Sequence, residues 1–169
     1  MTDRERVEFA LKTENDGNGF YEHAAKHTSH KLARAAFEML GKEEIRHVQL
    51  IESLGQALEA GTEVEVASPD KKTLEKSIQT IYGAATAEPV EGEMEPAEAY
   101  AKAIELEQRI SKLYFDYAKD CESDAAKHLF NVLYREEQDH LSLLEDMLGY
   151  LTDPNQWFVD RDMVMLDGG

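Results

Sequence analysis

The chain is poor in the residues that many chemistries need. Cys121 is its single cysteine, so it can form no internal disulfide, thiolate zinc site or CxxC redox pair, and a reducing cytoplasm is the expected location. Basic residues are scarce: 18 Lys and Arg stand against 35 Asp and Glu, for a net charge of -17. That balance argues against binding a nucleic-acid phosphate backbone. An acidic face attracts cations, although surplus carboxylates serve equally to keep a protein soluble. No apolar run approaches the length that spans a bilayer, and Asp3, Arg4, Glu5, Arg6 and Glu8 interrupt the opening segment. The protein is therefore expected to be soluble, unexported and without membrane contact. With 169 residues it can bury one proper core, which predicts a single domain with at most a small appendage.

Strands have almost no support, whereas four long segments carry apolar residues at helical spacing. The first, about 3–28, aligns Val7, Ala10, Leu11, Tyr21, Ala24 and Ala25. The second, about 30–59, aligns Ala33, Ala36, Phe37, Leu40, Ile51, Leu54 and Leu58, and Gly61 stops it. The third, about 96–120, aligns Tyr100, Ala103, Ile104, Ile110, Tyr114 and Ala118. The fourth, about 124–151, aligns Ala126, Leu129, Phe130, Leu133, Leu141, Leu144 and Leu148. Only a few residues separate the first helix from the second and the third from the fourth. Each pair must fold as an antiparallel hairpin, with Ser29 and Ser123 as expected caps. Residues 61–95 form a crossover, with a short extra helix expected from Ser68-Pro69-Asp70 that buries Leu74, Ile78 and Ile81. Two hairpins joined by one long crossover define an all-α, ferritin-like four-helix bundle over residues 1–151. Residues 152–169, with Trp157, Phe158 and the apolar stretch Met163 to Leu166, are expected to dock on the bundle or on a partner subunit.

The second hairpin repeats the first at an offset of 93 residues. Ala10, Glu14, Tyr21, Ala25, Lys26, Ala33, Phe37, Leu40, Glu43, Glu44, His47, Leu50 and Glu52 recur as Ala103, Glu107, Tyr114, Ala118, Lys119, Ala126, Phe130, Leu133, Glu136, Glu137, His140, Leu143 and Glu145. Ordinary composition would give roughly three such identities in an ungapped window of this length. A duplicated hairpin, and with it a pseudo-twofold site, is the reading that follows.

That repeat sets four glutamates and two histidines on stripes that otherwise hold core residues, where charge needs compensation. Glu44 and His47, like Glu137 and His140, stand three apart and project from one helix face. Glu14 and Glu44 lie equally far from the first turn, about 22 Å at helical rise, and Glu107 and Glu137 are placed alike about the second. All four carboxylates therefore fall in one layer. One Glu from each of two helices plus Glu-x-x-His from each of the other two is a dinuclear carboxylate ligand set. Oxygen-rich donors with one imidazole per ion suit iron, with manganese as the second choice. Four carboxylates balance two divalent cations, so loading should stabilise the fold. Tyr21 and Tyr114, two turns beyond Glu14 and Glu107, either hydrogen-bond these carboxylates or pack in the core.

The elements ENDGNGFY…EEIRH and ELEQRISKLY…EEQDH resemble the rubrerythrin branch of the ferritin-like superfamily over most of residues 5–150. The resemblance implies a di-iron centre cycling between Fe2+ and Fe3+, with Glu44 and Glu137 bridging, Glu14 and Glu107 terminal, and His47 and His140 capping one iron each. It implies reaction with hydrogen peroxide or dioxygen, and a homodimer or larger homo-oligomer. Full-length rubrerythrins add a four-cysteine iron module, which one cysteine cannot build, so an external electron donor protein is expected. One turn before Glu107, where the family's peroxidases carry an extra glutamate, this chain has Ile104.

Other features read more plainly. Glu43 and Glu136 lie off the stripe and are expected in solvent. His23, His27 and His30 have metal-ligand spacings but do not recur in the repeat, which makes them surface residues. The segment Glu14 to Gly19 imitates the start of a calcium loop, yet Ala25 stands where the bidentate Glu belongs. Gly17 and Gly19 weaken the first helix and allow a local distortion or close helix approach near Glu14. Glu88 to Glu98 reads as a loop end. Three functions suit this sequence: a non-haem di-iron oxidoreductase acting on peroxide or dioxygen, a ferroxidase for iron storage or transfer, and a structural bundle that metals merely stabilise.

Overall fold

The computed structural model describes residues 1–62 and 94–157; the expected crossover helix, most of the acidic stretch from Glu88 and the tail beyond Trp157 lie outside them. Four helices make up the described chain: α1 (Asp3–His27), α2 (Lys31–Ala60), α3 (Pro96–Asp120) and α4 (Asp124–Thr152). A helical turn then begins at Pro154. The helix ends follow from local chemistry. Thr2 and Glu5 close a reciprocal capping box on α1, and Pro96 occupies the first turn of α3. Gly61 takes the left-handed conformation (φ 65°) that ends α2. Ser123 caps α4 as expected. At α2 the cap is His30 rather than Ser29, because the His30 side chain accepts the Ala33 N–H.

Two contacts establish how the hairpins are joined. Met94 N donates to His27 O (2.8 Å), which places the start of α3 at the α1–α2 turn. At the other end, the Asp3 carboxylate accepts the Glu122 and Ser123 N–H groups (3.0 and 2.8 Å), tying the start of α1 to the α3–α4 turn. Hence α1 and α3 are antiparallel, and the end of α2, where Glu59 pairs with Arg4, lies at the opposite end of the bundle from Met94. This is the ferritin-like arrangement. Burial raises the Asp3 pKa, but the Ser123 and Glu122 amides and the Arg6 guanidinium together hold it below the usual carboxylate range. Neighbouring Cys121 is buried beside that charge and its thiol is pushed up to about 12, so it is not a nucleophile at neutral pH.

The apolar core is split in two. One cluster, around Tyr21, Phe37, Leu40, Tyr100 and Leu144, fills the end near the α1–α2 turn. The other, around Val7, Ile51, Tyr114, Leu129 and Phe130, fills the end near the α3–α4 turn. The duplication survives in the ring packing: Tyr21 stacks on Phe37 (6.1 Å between centroids) as Tyr114 does on Phe130 (5.6 Å). Between the clusters lies a polar layer.

Helix α1 runs through the glycines without a break. A Cβ at Gly19 would meet nothing within 4 Å, so Gly19→Ala is expected to stabilise the protein by about 0.5–1 kcal/mol. Chemical denaturation of the two proteins side by side checks this. Gly17 is different in kind. It is buried, and its Cβ position lies 3.5 Å from Glu44 Oε2, so here the expected close approach of α1 to α2 is real.

Candidate metal centre

Glu14, Glu44, His47, Glu107, Glu137 and His140 are all buried, and the four helices bring them into the layer between the two core clusters. Glu14 comes from α1 and Glu107 from α3. The i, i+3 pairs Glu44/His47 and Glu137/His140 come from α2 and α4, where that spacing turns both side chains to one face.

Donor atoms of Glu14, Glu44, His47 and Glu137 lie within 4.8 Å of one another, and so do those of Glu44, Glu107, Glu137 and His140. Glu44 and Glu137 belong to both groups, which makes the layer two adjoining positions with two shared carboxylates. Both imidazoles turn Nδ1 inward. His47 Nδ1 is 3.0 Å from Glu137 Oε1 and 3.4 Å from Glu14 Oε2, and His140 Nδ1 is 3.1 Å from Glu137 Oε2 and 3.6 Å from Glu44 Oε1. The rings stack with centroids 5.5 Å apart.

Electrostatically the layer is at odds with itself. Burial, then the charges of Glu14 and Glu137, push Glu44 well above the carboxylate range. Burial and Glu137 do the same to Glu107. Burial opposes ionisation of His47 too, but Glu137 and Glu14 outweigh it and raise its pKa. Against the cost of burial, the facing His47 and His140 rings draw Glu137 well below its ordinary value. Glu14 Oε2, both Glu44 oxygens, His47 Nδ1, Glu107 Oε2 and Glu137 Oε1 are buried without a hydrogen-bond partner. Buried polar atoms are normally satisfied. Six unsatisfied atoms, five of them carboxyl oxygens, within two adjoining donor groups fit a pair of divalent cations.

Tyr21 and Tyr114 hydrogen-bond rather than merely pack, and they do so crosswise. Tyr21 Oη donates to Glu107 Oε1, and Tyr114 Oη donates to Glu14 Oε1. Helical side chains lean toward their own N-terminus, so each ring reaches back to the layer while the antiparallel neighbour supplies the carboxylate. Burial, reinforced by these carboxylates, raises both phenol pKa values well above 10.0.

Glu136 corrects the sequence reading. It was expected in solvent with its repeat mate Glu43, but its Oε2 lies 2.9 Å from His47 Nε2 and it is buried. Arg46 reaches across from α2 to pair with it, and also holds the half-buried Glu43 through Nε at 2.9 Å. Burial raises the Glu136 pKa, but His47 and Arg46 prevail and keep it ionised. The recurrence of Glu43 as Glu136 was a usable signal, whereas the tilt that turns only one of them inward is a packing outcome.

The remaining candidates stay outside the layer. His23 is exposed, and its ring stacks on half-buried His27 at 4.0 Å, while His30 is the α2 cap. Residues Glu14 to Gly19 are helical, with Glu14 buried, which leaves no calcium loop. Ile104 is half-buried against the core cluster near the α1–α2 turn.

A ferritin-like bundle with two carboxylate-histidine clusters sharing a pair of glutamates defines a class of proteins built for dinuclear metal centres. The sequence profile of one such family, Rubrerythrin, matches residues 5–148. The chain belongs to the rubrerythrin family, and its buried layer fits a di-iron protein. Comparison with curated proteins and with solved structures found no match. Among the described residues no helix is long and apolar enough to cross a membrane.

Proposed function

We propose that the chain is a non-haem di-iron oxidoreductase that reduces hydrogen peroxide or dioxygen with electrons from an external donor protein. The observation that carries this reading is the pair of adjoining donor groups with Glu44 and Glu137 in common. In it, Glu44 and Glu137 would serve both iron positions, with Glu14 and His47 completing the donors of one and Glu107 and His140 those of the other. A bound iron pair supplies two electrons by passing from the ferrous to the ferric state. The protein's part is to hold that charge in a dry layer. The apolar clusters above and below keep water out, and the tyrosine hydroxyls fix the orientation of Glu14 and Glu107. Four carboxylates offset the charge of the ions, which is why burial of the filled site is affordable.

A second reading, ferrous-iron oxidation for storage or transfer, is favoured by Ile104. This apolar side chain stands where the family's peroxidases carry an extra glutamate, so one oxygen ligand fewer is at hand to follow the charge.

The test is to load the metal-free protein anaerobically with Fe2+ and follow oxidation by near-UV absorbance after adding peroxide or air-saturated buffer. About two irons per chain, rapid oxidation by peroxide and re-reduction by added donor are expected. Continued oxidation and retention of iron well beyond two per chain would replace the oxidoreductase with the storage reading. Failure to bind more than trace metal would leave a structural bundle.

A further inference from the structure

The duplication is broken behind the histidines. Glu43 and Glu136 are repeat mates, but the mate of Arg46 is Asp139. Arg46 pairs with Glu136, whose Oε2 lies 2.9 Å from His47 Nε2. Among the described residues, no carboxylate lies within ion-pair distance of His140 Nε2, and Glu43, which the repeat would place there, is held by Arg46 instead.

We propose that Glu136, backed by Arg46, is a positioning residue for His47 that makes the two metal positions inequivalent, so that the Glu14, Glu44, His47, Glu137 position fills before the Glu44, Glu107, Glu137, His140 position. The inference rests on the dinuclear reading above. A carboxylate accepting from Nε2–H fixes the tautomer, leaves the Nδ1 lone pair facing the three glutamates, and raises its basicity. His47 is thus pre-set as a ligand, by a second residue itself anchored by a guanidinium. Among the described residues, His140 has carboxylates only at Nδ1, from Glu137, Glu44 and Glu107, and none behind Nε2 to set its tautomer, so metal binding there must also fix the ring.

Anaerobic titration of the full metal-free chain with Co2+, read by visible absorbance and by calorimetry, tests this. Wild type is expected to show two resolved steps. Glu136→Ala should weaken the first by about 10–100-fold and leave the second within about threefold. Glu136→Gln, whose amide oxygen can accept the same hydrogen bond, should restore most of the loss, and Glu43→Ala should leave both steps in place. Indistinguishable steps in wild type, or a Glu136→Ala effect that is absent or equal on both, would overturn the proposal while leaving the dinuclear site intact. No binding by wild type would instead remove the dinuclear reading. Should Glu136→Ala not fold, as judged by far-UV circular dichroism, Arg46→Met takes its place with the same selective loss expected and the same equal loss fatal.

Discussion

Metal loading is expected to raise the unfolding temperature, and to raise it more at about pH 8 than at about pH 5. Each site filled at 100 times its dissociation constant contributes about 2.7 kcal/mol, or about 5–10 °C for a chain of this size. The pH dependence follows from the metal-free layer. Glu44 and Glu107 have folded pKa values raised above 4.5, and His47 above 6.5. Between the unfolded and folded values the folded protein binds more protons than the unfolded chain, so metal-free stability falls as pH rises through that window. Glu137, with its depressed pKa, acts oppositely, but only at acid pH below its ordinary 4.5. Metal competes with the same protons and binds better as pH rises. Glu44→Gln should therefore have two effects of opposite sign: metal content falls from about two to below one per chain, while the metal-free protein becomes more stable at neutral pH and loses part of its pH slope. Differential scanning calorimetry of both proteins, with and without metal, reads all of these. A Glu44→Gln variant that destabilises the metal-free form would refute the account of a self-repelling layer.

Removing the two phenol hydroxyls is the second large effect. Tyr21→Phe strips Glu107 Oε1 of its donor, and Tyr114→Phe strips Glu14 Oε1. A buried acceptor left unpaired costs about 1–3 kcal/mol, and each ring still fills its place beside Phe37 or Phe130, so no cavity adds to the loss. The duplication predicts similar costs for the two single variants. Because both hydroxyls serve one layer, the double variant should depart from the sum of the singles by about 0.5 kcal/mol or more. Urea unfolding of the metal-loaded proteins gives the comparison. If either substitution is neutral, its hydroxyl serves packing only.

Much of this was readable in the residues. The helical period placed all four helices within a residue or two, and short turns against one long connection required the ferritin-like topology. The repeat of Glu14, Glu44 and His47 as Glu107, Glu137 and His140 marked out the polar layer, since equal distances from the turns put the four carboxylates at one height and i, i+3 spacing keeps each histidine on the face of its glutamate. Capping at His30 was missed because Ser29 has the better intrinsic preference, and local backbone geometry reversed that order. Glu136 was missed for a subtler cause. Helical spacing locates a residue to within a sector of the helix surface, and Glu136 sits at the edge of the stripe, where a small rotation of α4 decides between solvent and interior.

The sequence by itself determined the class of fold, the duplication and the six residues of the layer, because helical period and chain length are local quantities that every residue reports. Only the tertiary structure decided which tyrosine serves which carboxylate, and that Glu136 and Arg46 stand behind His47 alone. Those relations join residues some 86 to 100 positions apart. They depend on how two nearly identical hairpins rotate against each other, which no periodicity within either hairpin records.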